Sequence, residues 1–421
     1  MRRKQKSNGN NKKTIMLIVA EYDPVPDVEG GSVSFLVTQL LKQNEKHNKV
    51  RFVVTSKYSE EAAKIHFNNS KIYYNRNGWL DADYIINHKA KWSVYLFLQR
   101  VKRKLFYNKI TNKITGKYLC YDRMMLQCLN IAKREHADVM VLEDLYQLRT
   151  YIPVINFIGK ENSFFHLHFH LTECKKERII IPNSILISEF VKKEWVKDKE
   201  IKGKNKVLYN CIDIEKYNVC ITDDEKQSRR TLLNIKKDDF AVVYCGRFIP
   251  EKGVKELLDA FEILQDRKKI KLILIGYYAK SKTTTDFSKS IVERAAKMDN
   301  VIPLGYIPND KVIDYYLISD AMVIPSVWQE GAGLVAIEGM ASGLPLIITD
   351  SGGMVEYVDE NCAVKVPIDN SLPQNLAAKI IELHKNEHRR KEMGEAGKKR
   401  AQIFTPEKYY KNYISIISDN E

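Results

Sequence analysis

Two glutamates and a glycine turn in the second half of the chain have the types and spacing of a ligand-binding group. Glu330 precedes a Gly-Ala-Gly turn, and the next segment, LVAIEGMASG, is typical of a helix that carries Glu338. A helix rises about 1.5 Å per residue, so Glu338 lies about two turns along and could reach the paired hydroxyls of a ribose. Free amides of Gly333 and Leu334 at the helix start would face a phosphate. The alternative is two exposed glutamates around a loop.

Two cations follow the first predicted strand of the same half. In the segment YCGRFIPEKG, Gly246 allows a tight turn, and Arg247 and Lys252 come before a helix. Both cations are therefore expected at one end of a sheet, beside a helix N-terminus that itself favours anions. This arrangement suits a diphosphate. In the alternative interpretation, they are surface cations paired with Glu251 and Glu256.

Three histidines alternate along one predicted strand of the first half, SFFHLHFH. His166, His168 and His170 therefore face the same side of a sheet, which is compatible in geometry with a metal site. We nevertheless expect no metal, because no carboxylate or cysteine joins them at ligand spacing in the sequence. Packing in the core is the expectation for at least one of them.

These residues need layered strands and helices to bring them together. The chain begins with a buried strand at 15–20, a glycine-containing loop and a helix, which is typical of α/β folds. Runs of Val, Ile and Leu are typical of strands buried on both faces, so parallel sheets are expected, with a ligand cleft between the carboxyl ends of two doubly wound domains. The further predicted strands are 50–56, 137–143, 163–170 and 178–184, then 240–246, 270–276, 300–305, 320–326 and 344–350.

The 421 residues are predicted to divide into four parts. Residues 1–13 are expected to form a disordered basic tail, and residues 14–215 a Rossmann-like N-terminal domain. Residues 216–400 are expected to form a second Rossmann-like domain. Residues 401–421 are expected to form a final helix that starts near Pro406.

Charge is distributed unevenly along this otherwise ordinary composition. The chain is 44% apolar and 29% charged, which argues against disorder. Residues 1–215 carry 38 Lys and Arg against 23 Asp and Glu, so they hold the whole net charge of +15. Residues 84–121 contain nine of these cations, no acid and many aromatic residues. The segment favours contact with an anionic membrane or acceptor; nucleic-acid binding and a solvated basic helix are the alternatives.

The sequence predicts a cytoplasmic protein. The apolar run at 15–20 is too short for a signal peptide, and no stretch approaches the roughly 18 apolar residues of a spanning helix. Seven widely spaced cysteines without a C-x-x-C pair fit a reducing compartment. The basic segment adds the prediction of peripheral contact with the inner face of the plasma membrane.

Several sequence elements, in the right order, closely resemble the retaining glycosyltransferases of family 4. That family has the GT-B fold, in which two Rossmann-like domains face a cleft and a C-terminal helix crosses back to the first domain. The elements are a glycine loop at Gly30–Gly31, N-C-I-D at 210–213, G-R-x-x-x-E-K-G at 246–253, and E-x7-E at 330–338, followed by G-x-P and S-G-G-x-x-E. The resemblance covers both predicted domains.

The resemblance implies that the second domain binds a nucleotide sugar. Positioned cations and a helix dipole stabilise a departing nucleoside diphosphate without a metal, so no metal and no cofactor are expected. Asp81-Ala-Asp83 mimics the metal-binding D-x-D of the other major glycosyltransferase fold, but it follows a polar loop without a nucleotide motif. The residues implied are Arg247 and Lys252 for the diphosphate, Gly333 and Leu334 for amide contacts, Glu338 for the ribose and Glu330 for the sugar hydroxyls.

The resemblance also implies an acceptor side in the first domain. Gly30–Gly31 resembles the acceptor-side glycine loop of the family. His168 looks most like the family histidine that lies near the transferred sugar, with His166 as the second candidate. Asp144 is a further acceptor-side candidate, or alternatively a helix cap.

Together these features lead us to expect a retaining transferase that moves a hexose from a nucleotide sugar, with UDP as the expected nucleotide, to a lipid-linked saccharide. The expected setting is the assembly of a surface polysaccharide. The expected partners are the nucleotide sugar, a saccharide acceptor and an anionic membrane surface through 84–121, with no nucleic acid. The alternative is a non-catalytic GT-B protein that assists another glycosyltransferase, although the chain has both cations and both carboxylates of a donor site.

Overall fold

The computed structural model describes residues 12–19, 23–75, 123–144, 151–168, 181, 183–197, 203–276 and 286–418. Within these ranges the strands are β1 (Thr14–Val19), β2 (Arg51–Lys57), β3 (Ser70–Asn75), β4 (Val139–Glu143), β5 (Ser163–Leu167), β6 (Asn183–Leu186), β7 (Asn205–Val207), β8 (Phe240–Cys245), β9 (Ile270–Ile275), β10 (Val301–Gly305), β11 (Ala321–Ile324), β12 (Leu346–Thr349) and β13 (Ala363–Val366). The α-helices are α1 (Ser32–His47), α2 (Arg123–Arg134), α3 (Ile152–Ile158), α4 (Glu189–Trp195), α5 (Asp223–Thr231), α6 (Val254–Ile263), α7 (Asp286–Ala295), α8 (Val312–Leu317), α9 (Leu334–Ala341), α10 (Met354–Tyr357), α11 (Leu372–Lys385), α12 (Glu387–Ala401) and α13 (Pro406–Ser418).

The strands form two parallel sheets. The first has the order β3-β2-β1-β4-β5-β6-β7, and the second has the order β10-β9-β8-β11-β12-β13. In each sheet the strand order reverses beside a central strand, between β1 and β4 and between β8 and β11. In α/β sheets a ligand crevice forms outside the carboxyl ends of the strands at such a reversal. The residues that follow β4, β5, β8 and β11 are therefore the ones to inspect for a site.

Apolar strands explain why both sheets lie inside layers of helices. Every residue of β1 is buried, and β8 is buried from Phe240 to Tyr244. Separate apolar clusters cover the two faces of each sheet. The predicted parallel, doubly wound α/β architecture is thus confirmed. The predicted strand 178–184 ends two residues before the end of β6, which spans Asn183–Leu186, and most of its first half lies outside the described residues.

The final helix returns to the first domain, as the fold class predicts. Tyr409, Tyr413 and Ile417 of α13 are buried in the apolar cluster that contains α1 and β1. The Tyr410 hydroxyl donates a hydrogen bond of 2.7 Å to Asn44 Oδ1 of α1. Three aromatic rings and an aliphatic side chain on one stripe of α13 therefore hold this helix against the N-terminal sheet.

We predict that Tyr410→Phe lowers the free energy of unfolding by about 1 kcal/mol, because Asn44 loses a buried hydrogen-bond donor while the ring stays in place. Equilibrium urea unfolding measures this change. The matched control is Tyr306→Phe, since the Tyr306 ring is 59% exposed and its substitution should cost almost nothing. Equal effects of the two variants would contradict the role given to the buried hydroxyl.

Some predictions fall outside the described residues: the basic segment 84–121, the Asp81 and Asp83 pair, His170 and the first eleven residues of the tail. The predicted domain boundaries stay predictions. None of the helices that the structure describes combines the length and apolarity that crossing a bilayer requires.

Candidate functional site

The centre of the candidate site is an ion pair between two loops of the second domain. Lys252 Nζ lies 2.6 Å from Glu330 Oε1, and the Ser326 hydroxyl donates a 2.7 Å hydrogen bond to the same oxygen. The Lys252 and Glu330 side chains are 28% and 17% exposed, so solvent and ligands reach both. The structure thus brings together a cation and a carboxylate that lie 78 residues apart in the sequence. Lys252 pairs with Glu330, and not with Glu251 or Glu256 as the alternative interpretation had it.

Backbone contacts fix the position of Lys252. It ends a short 3₁₀ turn at Pro250–Lys252, after β8, and Gly253 follows with φ 66°. The Glu251 carbonyl accepts hydrogen bonds from the amides of Val327 and Trp328, at 3.0 and 3.3 Å. A Cβ atom on Gly253 would lie 1.8 Å from the Pro325 carbonyl oxygen. The loop after β8 and the loop after β11 therefore pack backbone against backbone, which sets the distance between Lys252 and Glu330.

Glu330 is held from its other side by the Ser-Gly-Gly turn after β12. The Glu330 amide donates to Ser351 Oγ at 3.2 Å, and the Gly353 amide donates to the Glu330 carbonyl at 2.6 Å. The Ser351 hydroxyl in turn donates to the Trp328 carbonyl. The S-G-G motif was recognised in the sequence without a structural role, and its role is to brace the loop that carries Glu330.

Arg247 is exposed at the end of β8. Its carbonyl accepts hydrogen bonds from the Tyr244 hydroxyl and the Ile249 amide, which fix the backbone. Its guanidinium makes no hydrogen bond or ion pair with any residue that the structure describes. The group is therefore available to an anionic ligand.

The helix predicted to follow the glycine turn is α9, and its start is uncapped. Gly333 is the N-cap and makes no side-chain cap, and Leu334 is the first helical residue. Glu338 lies on the second turn, where the Tyr316 hydroxyl donates to Oε2 at 3.1 Å. Burial raises the pKa of Glu338, while hydrogen bonds from Tyr316 and Tyr217 oppose that rise. Sequence reasoning missed both tyrosines.

A second cluster lies in the first domain, at the ends of β4 and β5. His166 Nδ1 and His168 Nε2 each lie 2.8 Å from Glu143 Oε2, and all three side chains are almost completely buried. The premise that no carboxylate joins the histidines was wrong. Glu143 pairs with His166 across neighbouring strands, and this parallel register cannot be recognised from the spacing of the sequence.

The same carboxylate receives a contact from the final helix. The Tyr413 hydroxyl of α13 donates to Glu143 Oε1 at 3.0 Å. Burial alone would raise the pKa of Glu143. The imidazoles of His166 and His168 lower this pKa by more than burial raises it, so it lies below the usual range of a carboxyl group. Burial and His166 lower the pKa of His168. The lowered pKa of Glu143 favours its ionised form, and the lowered pKa of His168 favours its neutral form.

The other acceptor-side candidates have partners within the first domain. Burial raises the pKa of Asp144 to about 6, and its Oδ1 accepts a 3.4 Å hydrogen bond from the His168 amide. The alternative role of Asp144 as a helix cap stays a prediction, because residues 145–150 lie outside the described part of the chain. The amides of Gly30 and Gly31 donate to Asp27 Oδ1, at 2.8 and 3.1 Å. Their contribution to a ligand, like that of His168, stays a prediction.

The last residue of the S-G-G-x-x-E motif joins the two domains. Glu356 accepts hydrogen bonds from the amides of Glu189 and Phe190 at the start of α4, at 2.7 and 2.6 Å. The Tyr209 hydroxyl donates to it at 3.0 Å. The turn that braces Glu330 is thus continuous with a contact to the first domain.

Comparison with known proteins identifies the second domain. Residues 225–400 match the family Glycosyl transferases group 1. The lipopolysaccharide 1,2-N-acetylglucosaminetransferase of Salmonella typhimurium is 33% identical over 134 residues, which cover 31% of this chain and 35% of that protein. An uncharacterized glycosyltransferase of Methanocaldococcus jannaschii is 31% identical over 238 residues, which cover 56% of this chain and 64% of that protein. The chain therefore spans less than two thirds of the length of these curated relatives.

Solved structures share the whole architecture. A glycosyltransferase from Rickettsia africae superposes with a TM-score of 0.72 at 17% identity, over 98% of this chain and 99% of that chain. HepE of Anabaena, in complex with UDP and glucose, superposes with a TM-score of 0.68 at 17% identity, over 97% of this chain and all of that chain. The chain has the GT-B fold of these structures, and its residues 225–400, a range that includes Lys252 and Glu330, match the family Glycosyl transferases group 1.

Proposed function

We propose that this protein is a retaining glycosyltransferase that transfers a hexose from a UDP-sugar to a lipid-linked saccharide during surface polysaccharide assembly. The observation that carries the proposal is the Lys252–Glu330 pair, which two interlocked loops hold at the end of the second sheet. Among the described residues, the carboxylate of Glu330 is the anion that pairs with this lysine. A donor phosphate would replace that carboxylate as the partner of the ammonium group.

The exchange of partners gives each group a role. Glycosyl transfer builds negative charge on the departing diphosphate, and fixed cations stabilise that charge most in the transition state. Lys252 and the guanidinium of Arg247, which has no partner among the described residues, supply the cations. The start of α9 at Gly333 and Leu334 supplies amides. Glu330, once released from Lys252, can accept hydrogen bonds from sugar hydroxyls.

Glu338 is proposed to bind the ribose of the donor. Its carboxyl lies on the second turn of α9, and the Tyr316 hydroxyl orients one of its oxygens. A carboxylate accepts hydrogen bonds from two adjacent hydroxyls, which distinguishes a ribose from other parts of a nucleotide. No metal is assigned to the donor, since the cations of the chain already oppose the diphosphate charge.

The proposed donor and acceptor classes are supported by similar proteins and by the charge of one segment of the sequence. The structure of HepE holds UDP and glucose, and the Salmonella relative is named for lipopolysaccharide, which supports a UDP-sugar donor and a surface polysaccharide. The basic, aromatic segment 84–121 supports a lipid-linked acceptor at an anionic membrane on the cytoplasmic side.

The test is consumption of nucleotide sugars by the purified protein, first with water and then with saccharide acceptors presented with and without anionic lipid vesicles. A UDP-hexose should be consumed faster than ADP- or GDP-hexoses, and NMR of the product should show the anomeric configuration of the donor. Inverted product would overturn the retaining mechanism. No turnover of any nucleotide sugar with any acceptor would favour the non-catalytic alternative.

A further inference from the structure

Three buried side chains of the first domain converge without being fully hydrogen-bonded. Glu143 ends β4, and His166 lies beside it on β5 as its register partner, with His168 two residues further on. One ligand atom from each of the three residues lies within 4.8 Å of the others. The imidazole rings have centroids 3.9 Å apart, so the two histidines stand side by side at the end of the strand.

The nitrogen atoms of these rings are not satisfied by the protein. Both ring nitrogens of His166 and Nδ1 of His168 are buried without a hydrogen-bond partner among the described residues. His166 Nδ1 lies 2.8 Å from Glu143 Oε2, yet the geometry is not that of a hydrogen bond. Buried polar atoms in native proteins are almost always paired, so three buried ring nitrogens without a described partner, beside a buried carboxylate, indicate an additional binding partner such as an ion or water.

The donor set favours a particular class of ion. Two imidazoles and one carboxylate are ligands that Zn²⁺ and neighbouring transition metals accept, with bonds of about 2.0–2.2 Å. Mg²⁺ and Ca²⁺ prefer oxygen ligands and would find only one residue that supplies them. Tyr413 completes the arrangement, because its hydroxyl binds the second oxygen of Glu143 and would orient the carboxylate as an outer partner.

We propose that Glu143, His166 and His168 form a binding site for a divalent transition metal of the zinc type. The site shares no residue with the Lys252–Glu330 pair, and its metal would be held by side chains of the protein alone. A metal there would join β4 and β5 and, through Tyr413, the helix α13 that crosses between the domains. The site goes beyond the proposed glycosyl transfer, and its occupancy is measured without any turnover.

The test uses the full chain, freed of metal by dialysis against EDTA and titrated with Zn²⁺ and with Co²⁺. We expect one ion per chain, a rise in melting temperature with Zn²⁺ but not with Mg²⁺, and visible Co²⁺ bands of a four-coordinate site. His166→Gln and His168→Gln should each weaken binding by at least about 100-fold, and Tyr413→Phe by about 10- to 100-fold. His388→Gln is the matched control, because His388 pairs with Glu392 at 3.2 Å on the exposed surface of α12 without a third ligand.

Wild-type protein that binds neither Zn²⁺ nor Co²⁺ at one equivalent would overturn the proposal, and this measurement does not depend on whether a variant folds. Loss of binding in His388→Gln, or a sulfur-to-cobalt charge-transfer band, would place the metal elsewhere and overturn it equally. In either case Glu143 and the two histidines would be a hydrogen-bonded network only. Absence of glycosyl transfer would leave these titrations unchanged, so the two proposals fail separately.

Discussion

Lys252→Ala is expected to lower kcat/KM for donor consumption by about 10²- to 10³-fold, the usual cost of removing one fixed group that stabilises developing charge. The ammonium of Lys252 is held by the backbone of two loops and faces Glu330 across 2.6 Å. Alanine removes the cation and leaves the Glu330 side chain without its partner beside the place proposed for the diphosphate, so the attraction to the phosphates is lost. Steady-state kinetics with the best UDP-hexose measures the change.

The matched control for this substitution is Lys255→Ala. Lys255 lies one turn further along, is more exposed, and pairs with Asp259 at 2.9 Å on the surface of α6. We expect kcat/KM of this variant to stay within about twofold of wild type, since an exposed ion pair contributes little. Similar losses in both variants, or full activity in Lys252→Ala with a wild-type circular dichroism spectrum, would remove Lys252 from the site.

Gly253→Ala is expected to lower the free energy of unfolding by about 2–5 kcal/mol, from left-handed backbone strain and a forced displacement of neighbouring atoms. The residue has φ 66°, and an added Cβ would lie 1.8 Å from the Pro325 carbonyl oxygen. The loop after β8 must then move away from the loop after β11. Because these loops set the distance between Lys252 and Glu330, donor consumption should fall as well.

Gly305→Ala distinguishes the two causes of the lower stability, which are backbone strain and the displacement of neighbouring atoms. Gly305 also has a positive φ, 71°, but apart from its chain neighbours no atom of the described residues lies within 4 Å of the position of its Cβ. Its substitution should therefore cost about 1–2 kcal/mol, from backbone strain alone. Urea unfolding and donor consumption are measured for both variants. If Gly253→Ala is no more harmful than Gly305→Ala, the close packing of the two loops does not hold the site.

The sequence was sufficient to predict the architecture because the central strands are continuous apolar runs. β1, β8 and β9 are nearly all apolar and were predicted within a residue or two. β3, β7 and β13 were missed. β3 is only half buried and reads SKIYYN, and the other two have three and four residues, so neither hydrophobicity nor length distinguishes them from loops.

The parts of the candidate site that lie in short, continuous sequence motifs were predictable. Arg247, Lys252, Glu330 and Glu338 are recognisable because each lies in a short local motif. The residues that hold these side chains in place lie far from them in the sequence. Tyr316 reaches Glu338 from another helix, and contacts such as that of Ser351 with Glu330, or Glu143 with the histidines, depend on which strands are neighbours. A single sequence does not contain that information in its spacing.

The central claim is the proposal that Lys252, Arg247 and the start of α9 together bind a nucleoside diphosphate. Isothermal titration of the wild type and of Lys252→Ala with UDP and with uridine tests it most directly. We predict that the wild type binds UDP far more tightly than uridine, and that Lys252→Ala binds UDP about 10- to 100-fold more weakly, as the loss of one charge-assisted contact requires. Equal affinity of the two proteins for UDP, or no preference for UDP over uridine, would contradict the claim.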